Sequence, residues 1–365
     1  MNGNENKEYP LASLYLYLTG VCNLRCSHCW IAPGFSSQPQ DGVPLDILKK
    51  TIREAKGLGL RSVKLTGGEP LLYREFEELL AFLRDEELTV WIETNGTLFD
   101  RSLIDALGSD NIDQISVSLD AADEKVHEDI RGVKGSYRRT VEGLRLLSKH
   151  RLGFQVIMTL QHKNQQEIPA LVQLCKELGA ASLKINHLLP CGRAKNAFQR
   201  KDNLALEELI EYYGMVERRW PRGEGLDIIF DLPVAMRSIE DITQRELNEC
   251  KILNIISILA NGDYSICGVG QTAPELRMGS VFSDRITAVW HNHPVLQELR
   301  NSLPIKLAAP CCNCLFRHQC LGTCRANAFT LTGDLYAPYF LCRSYYDSGR
   351  FPASRLTGFS GAECC

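Results

Sequence analysis

Along residues 12–190, short apolar runs alternate with amphipathic stretches. SLYLYLT (13–19) reads as a buried strand. SVKLTG (62–67), TVWIETNG (89–96), QISVSLD (114–120), FQVIMTL (154–160) and SLKINHLL (182–189) read likewise. Between them, apolar residues fall at helical spacing. Leu45, Leu48, Ile52 and Ala55 mark one helix, which stops at Gly57 and Gly59; Phe76, Leu79, Leu80 and Leu83 mark the next. RSLIDALG (101–108), YRRTVEGLRLLSKH (137–150) and IPALVQLCKELG (168–179) continue the series, the last with Pro169 near its first turn. Six strands separated by helices predict a parallel sheet covered by helices. Six units are too few for a closed eight-stranded barrel. The pattern therefore predicts an α/β fold, an open partial (β/α)6 barrel with chemistry at the C-terminal ends of its strands.

Residues 204–219 (LALEELIEYYGMVERR) read as a further helix. After about residue 249 cysteines become frequent, and Gly, Pro and Asn punctuate short apolar pieces. A loop-rich domain held by metal has this texture, because its own core is too small to hold it. The expected division is an N-terminal extension (1–11), the barrel (12–215), a connecting segment (216–248), a cysteine-rich domain (249–345) and a tail (346–365).

The 365 residues are 44% apolar and 23% charged, with a formal net charge of −3. That balance predicts no nucleic-acid partner and no anionic membrane partner. No apolar run reaches the length of a membrane span, and MNGNENKEYP lacks the features of a secretory signal. A cytoplasmic setting is the expectation. Cysteine is the outlier at 15 residues. In a reducing compartment, clustered thiols at short spacings bind metal more often than they pair.

Cys22, Cys26 and Cys29 follow the first strand as C-x3-C-x2-C. Three thiolates can hold three corners of a four-iron four-sulfur cluster and leave the fourth iron open for chemistry. A structural zinc site, with His28 as a further ligand, uses the same residues. A second group lies far downstream. Cys250 precedes Gly262 and Cys267, then come Cys311-x2-Cys314-x5-Cys320-x3-Cys324, and finally Cys342. Zinc needs sets of four, into which these seven do not divide, so iron–sulfur is the favoured reading.

CNLRCSHCW resembles the signature of the radical S-adenosylmethionine (SAM) superfamily. Further matches fall at successive strand ends: Gly67, Gly68, Glu69 and Pro70; Thr94, Asn95 and Gly96; Ser118 and Asp120; and Arg131. The resemblance implies that His28 lies near the adenine and that the GGEP element approaches the methionine amino group. It implies Ser118 and Asp120 near the ribose and methionine, and Arg131 on the SAM carboxylate. Read as bare residues, GGEP is also compatible with a tight turn and Arg131 with an exposed surface arginine.

The seven later cysteines resemble the SPASM domain, the auxiliary-cluster module of many radical SAM enzymes. The likeness implies that Cys250, Cys267 and Cys324 hold a first auxiliary cluster. Cys311, Cys314, Cys320 and Cys342 would hold a second, giving three 4Fe–4S clusters with the SAM-cleaving one. No cysteine occurs in SIEDITQRELNE (238–249), where some SPASM enzymes have one, so the first auxiliary cluster can keep an open iron. Cys175 reads as core and Cys312 as a passive neighbour. Cys191, in LLPCGRA, reads as a ligand, a substrate-facing thiol or a buried structural one. Cys364 and Cys365 read as part of a disordered tail, or as a vicinal pair that delivers reducing equivalents or chelates a soft metal.

The resemblance implies hydrogen abstraction from a substrate C–H bond by a 5′-deoxyadenosyl radical. CNLRCSHCWIAP and LPCGRA are similar to peptide maturases of the SynChlorMet cassette, which implies a ribosomally made peptide substrate. An external donor such as a flavodoxin or ferredoxin, and a separate leader-peptide-binding protein, are the partners so implied. Formylglycine-type sulfatase maturation and tetrapyrrole side-chain modification remain open. So does a non-catalytic electron-transfer scaffold, against which the intact cysteine loop, GGEP and Arg131 weigh.

Overall fold

The computed structural model describes residues 9–108, 111–223, 225–244 and 250–357. Cys364 and Cys365 lie outside the described residues. Strand β1 (Ser13–Tyr17) leads into a small parallel ribbon of β2 (Val21–Cys22) and β3 (Gly34–Phe35), which frames the first cysteine loop. From β1 the main sheet runs in parallel through β4 (Ser62–Thr66), β5 (Thr89–Thr94), β6 (Ile112–Ser118), β7 (Phe154–Leu160) and β8 (Ser182–His187) to β9 (Asp227–Phe230). The six expected strands are all present, and β9 adds a seventh.

Helices α1 (Leu45–Lys56), α2 (Phe76–Asp85), α3 (Arg101–Leu107), α4 (Glu124–Arg131), α5 (Ser136–Lys149) and α6 (Ile168–Leu178) connect the strands. Alternate strand residues, such as Leu14 and Leu16, Val63 and Leu65, and Val90 and Ile92, are buried in one core with Leu48, Ile52, Leu79 and Leu83 of the helices. Burying each such side chain contributes about 1.5–3 kcal/mol. The strand residues between them form a polar network. Gln114 donates to the Gln155 side-chain oxygen at 2.9 Å, and Gln155 donates to Ser182 Oγ at 2.9 Å. Lys64 pairs with Glu93. The sheet thus has an apolar face toward the helices and a polar lumen.

Helices α7 (Ala194–Gln199) and α8 (Leu206–Arg219) join β8 to β9, and α9 (Ile239–Gln244) follows β9. The chain then returns to the other side of β1. Strand β10 (Ile255–Ile258) pairs with β1 in parallel, Ser13 opposite Ile255, and β11 (Asp263–Ser265) and β12 (Arg277–Ser280) add on antiparallel. The result is one ten-stranded sheet shared by the barrel and the cysteine-rich region. Helices α10 (Ile286–Asn292), α11 (Pro294–Ser302), α12 (Arg317–Cys320), α13 (Arg325–Thr332) and α14 (Phe340–Asp347) complete the fold. Among the described residues no helix is long and apolar enough to cross a membrane.

Candidate functional site: a three-cysteine loop and a thiol-lined annexe

The first cysteine loop is strapped to its surroundings by backbone. Arg25 N donates to Arg131 O at 3.0 Å and Ser27 N to Ile130 O at 2.8 Å, tying the loop to the end of α4. Gly68 N donates to Thr19 O and Glu69 N to Val21 O, both at 2.9 Å, tying GGEP to the approach to Cys22. The second contact explains the glycine. A Cβ on Gly68 would stand 1.9 Å from Val21 O.

Cys22 and Cys26 are buried and Cys29 is half-buried. Each buried sulfur has a donor from a strand end or helix end: Asn95 Nδ2 lies 3.7 Å from Cys22 Sγ, and Arg131 Nη1 lies 3.7 Å from Cys26 Sγ. Burial, followed by the Glu69 charge, pushes the Cys22 thiol up to about 12. A metal bound here would have to displace a firmly held proton.

Glu69 is almost fully buried at the centre of the site. Its carboxylate accepts from Thr94 Oγ1 at 2.6 Å, Asn95 N at 2.9 Å and Leu71 N at 3.2 Å. Burial raises it to about 7, against the lowering effect of those donors. Arg131 is buried, which removes the surface reading. Its Nε lies 2.6 Å from Asp120 Oδ2. Burial works to raise the Asp120 carboxyl, but Arg131, with His28 and His127, outweighs it and holds it below the usual range. Asp120 Oδ1 accepts from Thr159 N at 2.9 Å, which fixes the carboxylate across two strand ends. His28 Nδ1 stands 3.9 Å from Asp120 Oδ2, and burial drives His28 down to about 4, so its ring is neutral at neutral pH.

The structure thus gathers His28, Gly67, Gly68, Glu69, Thr94, Asn95, Asp120 and Arg131 around the three cysteines. Ser118 ends β6, half-buried, two residues from Asp120. Three features of the site were not read from sequence. Asn23 donates to Thr97 Oγ1 at 2.8 Å and accepts from Asn95 Nδ2 at 2.8 Å, bracing the loop from below. Arg193 clamps the far side: its N donates to Cys29 O and its Nε to Cys26 O, both at 2.9 Å. His187, at the end of β8, meets the Tyr339 hydroxyl at 2.5 Å and so joins the barrel to the cysteine-rich region. Asn23 and Arg193 sit inside CNLRC and LPCGRA, so proximity to a motif was the available signal.

Cys311, Cys314, Cys320 and Cys342 line one common cavity, together with Tyr339 and Pro310. Four thiols around an apolar space is the donor set a four-iron four-sulfur cube requires, and the residues fit it. Cys250 is exposed, and Cys267 and Cys324 are half-buried. The Cys267 thiol is raised by burial first, then by the charges of Cys324, Cys250 and Cys191, so these sulfurs share one locality. Cys191 is buried but belongs to none of the apolar clusters, whereas Cys175 lies in the main core. Cys312 is disulfide-bonded and so offers no free thiol.

A model of the radical SAM superfamily matches residues 16–175, and one of an iron–sulfur cluster-binding domain matches residues 250–315. The AdoMet-dependent heme synthase of Methanosarcina barkeri is 30% identical over 346 residues, covering 89% of this chain and 95% of that protein. The antilisterial bacteriocin subtilosin biosynthesis protein AlbA of Bacillus subtilis is 26% identical over 325 residues, covering 88% of this chain and 68% of that protein. Among solved structures, S-adenosylmethionine-bound SuiB of Streptococcus suis aligns with a TM-score of 0.73 at 19% identity, covering 92% of this chain and 78% of that one. SuiB bound to its precursor peptide SuiA aligns equally well, with a TM-score of 0.73 and 20% identity over 92% and 76% of the two chains.

Proposed function

This chain belongs to the radical SAM superfamily and is an enzyme of its SPASM branch; from that premise we propose that it oxidises a C–H bond in a ribosomally made peptide. When bound, the N-terminal cluster with SAM supplies the hydrogen-abstracting 5′-deoxyadenosyl radical, and two auxiliary clusters supply an electron sink. The protein's own groups hold and orient. Asn95 and Arg131 donate to two ligand sulfurs, Glu69 braces the third strand end against GGEP, and His28 offers a neutral ring beside Asp120.

The polar lumen carries the substrate reading. Lys64, paired with Glu93, Lys184, whose charge acts on Glu93, and the Gln114–Gln155–Ser182 chain present charged and hydrogen-bonding groups beneath the site. Such a wall suits peptide amides and polar side chains better than a flat apolar macrocycle. The likeness to AlbA and to the peptide-bound SuiB supports the same reading. A cytoplasmic setting, a flavodoxin or ferredoxin donor, and a separate leader-peptide-binding protein complete the proposal.

A second reading rests on the heme synthase, which this chain matches along nearly its whole length. Here the substrate is a carboxylate-bearing tetrapyrrole. The two readings separate in one assay. Anaerobically reconstituted enzyme, SAM and a reductant are incubated with a short peptide encoded beside the gene, or with such a tetrapyrrole. 5′-Deoxyadenosine and the product mass are then followed. Loss of two hydrogens from the peptide supports the first reading; carbon dioxide lost from the tetrapyrrole, with the peptide unchanged, replaces it with the second. No 5′-deoxyadenosine in either arm overturns both.

A further inference from the structure

Arg325 is a fully buried cation with no carboxylate partner among the described residues. It directly follows Cys324 and opens α13. Its Nη1 donates to Leu335 O at 2.9 Å and Ala337 O at 2.7 Å, and its Nη2 donates to Gly322 O. These are neutral carbonyls. They orient the guanidinium without neutralising it, and its Nε is buried with no acceptor. A buried charge left uncompensated is costly, so the fold must supply an anion.

Gly322, whose carbonyl accepts from Arg325, lines the same cavity as Cys311 and Cys320, and after burial the largest electrostatic influences on Arg325 come from Cys311, Cys320, Cys324 and Cys250. The first two belong to the proposed second auxiliary cluster and the last two to the first. The backbone is shaped around this position. Leu321, Gly322 and Thr323 have φ of 49°, 77° and 63°, three successive left-handed residues that turn the chain between Cys320 and Cys324. A Cβ on Gly322 would stand 2.2 Å from Arg325 Nη2, so only glycine leaves room for the guanidinium.

We propose that Arg325 is the shared counter-ion of the two auxiliary iron–sulfur clusters, raising the reduction potential of both and thereby fitting the domain to accept the substrate's electron. A thiolate-ligated cluster is anionic, and reduction adds one more negative charge. A fixed cation in a low-dielectric interior stabilises the reduced form more than the oxidised one. This inference rests on the iron–sulfur reading of the domain.

The test uses the full chain carrying Cys26→Ala, which silences the N-terminal cluster, with auxiliary clusters reconstituted anaerobically. Redox titration followed by electron paramagnetic resonance, with iron and sulfide analysis, is run on this protein and on its Arg325→Gln and Arg325→Lys derivatives. The glutamine derivative should titrate at lower potential for both clusters, while lysine stays near the parent. Loss of auxiliary iron with glutamine but not lysine also supports the charge role. Fully loaded glutamine protein with unmoved potentials overturns the inference alone, as does equal iron loss from both derivatives. A parent protein that binds no auxiliary iron overturns the iron–sulfur reading itself.

Discussion

Glu69 couples the first site to pH. Its ordinary value is 4.5 and burial raises it to about 7, so the folded protein binds this proton more tightly than the unfolded chain. The contribution to stability is complete below 4.5 and is lost as pH rises through 7. Glu69→Gln should therefore gain on the wild type as pH rises across that window, by a swing on the order of 3 kcal/mol. Denaturant titrations of both proteins without cofactor, at pH 4.5 and 7.5, measure it; parallel curves would refute it. The Asp120–Arg131 pair has a different cost. Arg131→Ala strands a buried carboxylate and should destabilise by about 3–5 kcal/mol. Urea unfolding checks this, and a change under 1 kcal/mol would mean the pair is not buried as described.

The strand ends are placed by helices and turns that differ in how plainly the chain announces them. Strands β1 and β4 to β8 were legible because each is an apolar run bounded by helical spacing. Helix α4 was not, although it carries Arg131. Only His127, Ile130 and Arg131 are buried on it, two of them polar, so no apolar stripe marks it. Its true signals are the Asp123 side chain, accepting from Val126 N at 2.9 Å, and left-handed Gly132 at its end. The Cys22–Cys29 and Cys311–Cys324 groups stand out because their spacing is local, whereas grouping Cys342 with Cys311, and Cys250 and Cys267 with Cys324, comes only from the family resemblance. The His187–Tyr339 and Arg193–Cys26 contacts span 152 and 167 residues, and nothing in either segment names its partner. The turn holding Arg193 makes a prediction of its own. Gly192 has φ of 58°, and a Cβ there would lie 2.2 Å from Trp30 O. Gly192→Ala should lower iron at the three-cysteine loop while the auxiliary sites keep theirs. Iron analysis in a background lacking the auxiliary ligands reads the loss directly, and full occupancy there would count against the clamp.

At the scale of the molecule, the sheet ignores the boundary that composition suggests near residue 249. Strand β10 lies beyond it yet pairs with β1 at the other end of the chain, and a register set across that distance leaves no mark in the sequence. Residues 1–248 alone would expose the edge of β1, a template for aggregation. That fragment should be insoluble where the full chain is soluble, and a monodisperse fragment would show that the barrel stands alone. The pairing of β1 with β10 also bears on electron tunnelling. Its rate falls steeply with separation. On the reading proposed above, the radical source and the electron sink would sit beyond neighbouring strands of one sheet, so the gap between them would be set when β1 and β10 pair at folding.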